Sequence, residues 1–380
     1  MDHATQVKLT KEIFGHIDAK TTCQLDDLVS NPVSAFASAE RLIREQEILF
    51  REYGLVMGMS CHLAEPGDYI TDDFSGVPIL VVRAKDGSVR AFMNVCAHRG
   101  AKVVDGCGSS RGTFSCPYHG WTYDHQGKLV GVPDPGSFDG LDTSEHGLRE
   151  LPAIEKYGLI WVRPSRGGPL DMDAQLGGLA PELATYRLQN YHHYETRILK
   201  HKMNWKIAID TFLEPYHFAA LHATTVGPIF FPNLCLFEPY GNNLREVLPR
   251  RSIQKLRDQP EADWDLVRHT AIVYVLFPNT VLVMGPDHAE IWRVYPRHNR
   301  VDECVMYLEF YIPEPATTDS ARGHWDRNLD LTVRTVVEED FPIGEGIQAG
   351  IGSGALDKVI YGRNEPALAH FQRSITAALG

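Results

Sequence analysis

The chain has 380 residues, 43% hydrophobic and 23% charged, the proportions of a globular protein long enough for two or three domains. Its net charge of −12 argues against nucleic acid or an anionic membrane as a partner. The N-terminus lacks a basic stretch leading into an apolar core, and no run reaches the roughly 18 apolar residues of a spanning helix, so neither a signal peptide nor a membrane segment is expected.

Residues 1–50 read as an N-terminal helical arm, in which Phe36, Ile43, Ile48 and Leu49 are expected to share one helical face with charges opposite. From about Leu55 the texture turns to strands. Residues 78–83 and 89–95 flank the turn Lys85-Asp86-Gly87-Ser88, and residues 121–123 and 128–130 flank His125-Gln126-Gly127. His125 is expected as a solvated turn residue. A small all-β domain is thus assigned to 51–165. The turn-forming run at 163–171 reads as a linker, and 166–380 as a second domain. Strands are predicted there at 271–277, 280–284, 290–295 and 304–312, with helices at 203–222, 321–337 and 366–378. Helices packed on an antiparallel sheet make the fold class α+β.

Within the all-β region stand Cys96-Ala97-His98-Arg99-Gly100 and Cys116-Pro117-Tyr118-His119-Gly120-Trp121. Each loop supplies one Cys, one His and a following Gly. This is the ligand set of a Rieske [2Fe-2S] centre, in which thiolates hold one iron and imidazoles the other. Cys2His2 is also a structural zinc set, but zinc motifs usually keep like ligands together. The glycines let the backbone pass close to a cluster and aim N–H groups at its sulfurs. Cys23, Cys61, Cys107, Cys235 and Cys304 form no second Cys-x-x-Cys. Cys107 reads as a free thiol in the intervening loop. Seven cysteines, sparse and odd in number, do not suggest a disulfide framework and fit a reducing cytosol, so a cytoplasmic location is expected.

On the predicted 203–222 helix stand Glu214-Pro215-Tyr216-His217 and His222. Residues five apart on an ideal helix lie about 140° from each other, and Pro215 disturbs the ladder, so the spacing alone leaves two unrelated histidines as an alternative. Taken together, Asn204-Trp205-Lys206 and Glu214-x-x-His217-x4-His222 downstream of the cluster motif resemble the α subunits of Rieske non-haem iron oxygenases, over about residues 45–375. The resemblance implies a catalytic domain of helix-grip type and a mononuclear Fe(II) on a 2-His-1-carboxylate facial triad of His217, His222 and a distant carboxylate. Glu338-Glu339-Asp340-Phe341 followed by Gln348-Ala349-Gly350 is similar to the family's carboxylate segment and selects Asp340, with Glu339 the alternative one register away.

The resemblance also implies catalytic roles for Asn204 and for Glu214. Glu214 would bridge a cluster histidine of a neighbouring subunit to His217 or His222. Glutamate here, where many members have aspartate, looks like the branch containing the carnitine and glycine betaine monooxygenases. The chain has no Gly-x-Gly-x-x-Gly after a strand and no plant-type ferredoxin cysteine set. A separate NAD(P)H-dependent reductase, with or without a ferredoxin, is therefore an expected partner. The implied reaction is O2-dependent mono- or dioxygenation, hydroxylation or oxidative demethylation, of a small organic substrate, in a homotrimer needing no β subunit. The expected pocket is Phe212, Leu213, Phe218, Leu221, Phe230, Phe231, Met284 and Trp292. It suits an aromatic ring, as in aromatic hydrocarbon catabolism, or a quaternary ammonium group. Two other classes stay open: a Rieske electron carrier with a ligand-binding domain, and a zinc-stabilised binding protein.

Overall fold

The computed structural model describes all residues 1–380. Its contacts divide the chain into two compact units. One is built from residues 46–172 with 188–190, the other from 1–45, 173–187 and 191–380. No helix is long and apolar enough to cross a membrane.

Apart from the end of a helix at 46–52 and short 3-10 turns, the smaller unit is strand and loop. Ile79–Arg83 pairs with Val89–Met93 across the Lys85–Ser88 turn, and Thr122–Asp124 pairs with Leu129–Gly131, the two hairpins expected from alternation and turn residues. They belong to a five-stranded and a three-stranded sheet; a further three-stranded sheet contains Leu55–Met59. Leu80, Val82, Phe92, Phe114, Trp121 and Tyr123 form the core from which the two cysteine loops project. Glycine at 127 is required: its φ is +78°, and a Cβ there would lie 2.5 Å from Phe92. His125 departs from expectation. It is 5% exposed, its Nε2 is 3.1 Å from Ser110 Oγ, and its ring packs 5.2 Å from Phe114. A turn residue is solvated only where nothing covers it, and here the 107–110 segment does. Cys107 is exposed but lies in a short strand, Cys107–Ser109.

The larger unit is built on a seven-stranded antiparallel sheet in the order 192–201, 304–312, 289–296, 280–284, 270–276, 243–249, 236–240. The four strands predicted from apolar runs are central members. The three not predicted lie toward the sheet's edges. In Asn243–Pro249 the interior positions include Asn243, Arg245 and Glu246, so no apolar run betrays a strand that is fully buried. Helix Pro366–Leu379 lies against this sheet, and Trp205–Asp210 lies against strands 289–296 and 304–312. Helices on one antiparallel sheet give the α+β class.

The predicted 203–222 helix is corrected. The α-helix covers only Trp205–Asp210, and a short 3-10 turn, Tyr216–Ala219, follows Pro215. Proline lacks the N–H of the ladder and clashes with the preceding turn. The helix expected at 321–337 runs over Asp319–Thr332, passes through a π-helical stretch at Val333–Asp340, and continues as Phe341–Gly352.

At the N-terminus a helix at His3–Ala19 was not singled out by the sequence. Asp2 caps it, accepting from Thr5 N at 2.9 Å, and the helix buries Leu9, Ile13 and Phe14 on one face. In helix Ala39–Glu52, Leu42 rather than Ile43 turns inward, and Ile43 is 51% exposed. This helix holds the larger unit through Glu45. The buried Lys206 Nζ donates to Glu45 Oε1 and Oε2 at 2.6 and 2.8 Å, and Trp205 Nε1 donates to Oε2 at 2.8 Å.

Removing one partner of a buried pair leaves the other charge uncompensated. Glu45→Ala should therefore destabilise the protein by about 3–5 kcal/mol, read as a lowered denaturant midpoint. An unchanged midpoint would show that the pair contributes nothing.

Candidate active site

The two cysteine loops are near copies. In each, the cysteine N–H donates across the loop base (Cys96 to Ala101 O, Cys116 to Trp121 O, both 2.8 Å), and the glycine N–H donates back to the cysteine carbonyl (Gly100 and Gly120, both 2.9 Å). Both glycines have positive φ, +80° and +71°, which closes these turns without steric cost. Cys96 and Cys116 are buried, His98 is half-buried and His119 exposed. The His98 and His119 ring centres are 4.7 Å apart, and His98 stacks on Trp121 at 4.9 Å. Tyr123 OH lies 3.2 Å from Cys96 Sγ and accepts from Ala97 N at 2.9 Å. His98 Nδ1 is buried without any hydrogen-bond partner. A buried, orphaned imidazole nitrogen beside two buried thiols fits a metal cluster and little else.

In the larger unit, His217 Nε2 and His222 Nε2 are 3.0 Å apart. Asp340 Oδ1 lies 3.4 Å from the first and 3.0 Å from the second. The break at Pro215 turns the two rings toward each other, with centres 4.8 Å apart, which five residues of continuous helix would not do. The π-helical stretch ends on Asp340. One widened turn places Asp340 on the inner face and its neighbour Glu339 on the outer one. Glu339 Oε2 is 2.6 Å from His222 Nδ1 and accepts from Thr225 Oγ1 at 2.6 Å. Glu214 Oε1 bonds His217 Nδ1, and its Oε2 accepts from His217 N at 3.1 Å.

Each imidazole thus binds a carboxylate through Nδ1 and presents Nε2 inward, the outer-shell arrangement of metal-ligating histidines. Burial alone would lower both imidazole pKa values. Hydrogen bonding to Asp340 reverses this: His217, also bonded to Glu214, is pushed up to about 10, and His222 is raised. Two nitrogens and a carboxylate oxygen facing one point fit a divalent cation of the 2-His-1-carboxylate kind.

Asn204 lies elsewhere. It is buried and caps helix 205–210, accepting from Lys206 N at 3.1 Å and donating to Phe36 O and Val301 O at 2.9 and 2.8 Å. Its own N–H donates to Gln348 Oε1 at 2.9 Å. The Asn-Trp-Lys and Gln-x-Gly segments therefore form one framework around the site, and every polar atom of the Asn204 side chain is used in it.

A cavity of about 160 Å³ is lined by His217, His222 and Asp340, and also by Phe212, Phe218 and Phe230. Leu213, Met284 and Trp292 are instead core, the last packed behind Phe212 at 5.1 Å. Phe231 lies under Arg251 at 5.4 Å. Leu221 lines a second cavity, about 610 Å³, together with Glu214 and His217. No motif marks Arg250, His288, Glu290 or Thr335, which line the first cavity from scattered strand ends and the π-helical stretch.

A family model described as the ring hydroxylating alpha subunit (catalytic domain) matches residues 188–380, and one described as the Rieske [2Fe-2S] domain matches 55–152. The chain belongs to the ring-hydroxylating alpha-subunit family. It is a Rieske oxygenase, with a [2Fe-2S] domain and a catalytic domain of the mononuclear-iron type. It is 24% identical over 369 residues to the carnitine monooxygenase oxygenase subunit of Acinetobacter baumannii, covering 92% of this chain and 96% of that one. It is 29% identical over 278 residues to the biphenyl 2,3-dioxygenase alpha subunit of Rhodococcus jostii, covering 70% and 56%. The fold matches the quaternary ammonium Rieske monooxygenase CntA with a TM-score of 0.81 at 21% identity, over 94% of this chain and 98% of that one. It matches naphthalene 1,2-dioxygenase at 0.73 and 18%, over 92% of each.

The two acidic neighbours separate cleanly in this geometry. Asp340→Ala should remove the mononuclear iron, whereas Glu339→Ala, which loses only an outer hydrogen bond, should weaken its binding by roughly 10–100-fold. Ferrous-ion titration of metal-depleted protein reads both. Normal affinity in Asp340→Ala with loss in Glu339→Ala would reverse the assignment.

Proposed function

We propose that this chain is the terminal oxygenase component of a multicomponent system, hydroxylating or oxidatively demethylating a small organic substrate with O2 and reductase-supplied electrons. The observation that carries this reading is the convergence of His217, His222 and Asp340 on one point in the wall of a largely apolar cavity. Electron storage is assigned to the 51–165 domain and oxygen chemistry to the 166–380 domain. The 1–50 arm buttresses the latter through Glu45.

When bound, the mononuclear iron supplies an O2-activating centre and the [2Fe-2S] cluster a one-electron store. The chain's own residues do the rest. Cys96, His98, Cys116 and His119 would hold the cluster, with the two thiols buried and His119 toward solvent. His217, His222 and Asp340 would hold the iron, and Glu214 and Glu339 orient the imidazoles. Phe212, Phe218 and Phe230 keep water from the substrate and shape its approach.

Glu214 is also the natural electron relay. Its side chain is 14% exposed and lines the second cavity, whose rim includes the exposed apolar side chains Ile343, Ile347, Leu356 and Ile360. Such a rim on a solvent-facing surface suits protein docking. A neighbouring subunit's cluster domain seated there would bring its exposed imidazole to Glu214. Repetition of that head-to-tail contact closes a ring, and the homotrimer is the ring proposed. One solved relative is described as showing inter-subunit electron transfer. A separate NAD(P)H-dependent reductase, with or without a ferredoxin, completes the system. The sparse, odd-numbered cysteine set supports a cytoplasmic setting.

Mixing tests this reading. His119→Ala and His217→Ala homomers should each be inactive in substrate-stimulated O2 uptake with a surrogate reductase. After subunit exchange, some contacts pair an intact cluster with an intact iron site, and activity should return in part. No recovery despite proven exchange would reject transfer between subunits. Full turnover by His217→Ala alone would reject the oxygenase assignment.

A further inference from the structure

The 160 Å³ cavity contains one charged group with no hydrogen-bonded carboxylate partner. Arg250 lines it, and its Nε is buried without a hydrogen-bond partner. The guanidinium sits 5.5 Å from the ring centre of Phe230, a contact that neutralises no charge. Asp287 is the carboxylate whose charge reaches Arg250, but its oxygens are taken by His288 Nδ1 at 2.9 Å and His324 Nε2 at 2.8 Å. Glu290, the other carboxylate besides Asp340 in the cavity wall, is committed to His288 Nε2 (3.2 Å), Trp292 Nε1 (2.9 Å) and Thr332 Oγ1 (2.7 Å). Burial would lower the His288 pKa, but its bonds to Asp287 and Glu290 push it up to about 9. His288 thus bridges Asp287 and Glu290, and no carboxylate is hydrogen-bonded to Arg250. A second polar atom in the same wall, Thr335 Oγ1, is also buried without a partner. Most of the remaining wall is apolar, with Phe212, Phe218, Val226, Leu248 and Leu331 among its members.

A partly desolvated guanidinium facing an apolar cavity is strongly stabilised by a carboxylate, which it can grip through two parallel N–H···O bonds. The same arrangement opposes a bare cation. The ring of Phe230 already lies beside the guanidinium, and a quaternary ammonium group placed there would meet like charge instead of a free π face. We infer that the substrate of this oxygenase is a small carboxylate, its anionic group paired with Arg250 and its apolar body packed on Phe212 and Phe218. Thr335 then donates its hydroxyl proton to the bound molecule. The inference rests on the reading of this cavity as the substrate site. It narrows the substrate from any apolar or cationic molecule to an anion with an apolar body.

The test uses matched pairs on the full-length holoprotein: a benzoate, a phenylacetate and an aliphatic trimethylammonium carboxylate, each with its carboxamide. Binding is measured by calorimetry without reductase, and turnover separately with a surrogate reductase. At least one carboxylate should bind the wild type roughly 10–100-fold more tightly than its amide. In Arg250→Gln that preference should collapse toward unity, with KM for the carboxylate raised and kcat changed far less. Arg250→Lys should recover part of the preference, which a merely misfolded cavity would not do. Which pair shows the effect distinguishes an aromatic from a zwitterionic body. The inference is overturned if no carboxylate outbinds its amide tenfold, or if Arg250→Gln leaves the preference intact. Arg250-dependent carboxylate binding without turnover would place an anion site at Arg250 while rejecting the reading of this cavity as the substrate site, and with it the inference.

Discussion

Three lone-pair-bearing atoms, His217 Nε2, His222 Nε2 and Asp340 Oδ1, lie 3.0 to 3.4 Å from one another, and such a trio is stable only around a cation. Two acceptor nitrogens at that distance repel unless a proton or a metal ion lies between them. Much of the surrounding structure serves to keep them there. Glu214 and Glu339 bind the outer nitrogens and fix which one faces inward. Thr225 holds Glu339 in turn. The interruption at Pro215 and the widened π turn before Asp340 are irregularities in otherwise helical segments, and both occur where the backbone must aim a ligand. Departures of this kind commonly mark functional sites.

The framework behind these residues is stiff. Asn204 joins helix 205–210 to the 341–352 helix through Gln348 and to the N-terminal segment through Phe36. Lys206 and Trp205 are fixed from the N-terminal side by Glu45. A site whose supports are buried and fully hydrogen-bonded keeps its geometry while substrate enters and leaves. The cluster loops follow another economy. Two short, near-identical turns, each closed by a glycine at positive φ, present one buried thiol and one imidazole apiece, with His98 half-buried and His119 exposed.

The features legible in the sequence were those set by local chemistry. The cluster loops could be read because ligands, glycines and turns fall within a few residues. The four central strands of the larger sheet could be read because apolar runs of that length have few other uses. The rest depended on what tertiary structure does to local preference. Asn204 stands in a recognisable motif, yet its side chain is consumed by capping. His125 has a turn address and a buried environment. Glu339 and Asp340 are adjacent acids, and only the π-helical turn gives one to the metal point and the other to His222. Met284, Leu213 and Trp292 are as apolar as Phe212 and Phe218, and pattern alone could not say which face the cavity and which the core. Arg250 belongs to the cavity through the position of a strand end, which no local motif encodes.

The most direct measurement is anomalous diffraction at the iron edge from crystals of protein purified without added metal. One anomalous peak should lie between His217 Nε2, His222 Nε2 and Asp340 Oδ1, and a second, separate one between the Cys96–His98 and Cys116–His119 loops. A zinc edge at either position, a peak held by Glu339 in place of Asp340, or no peak among the three atoms would contradict the account.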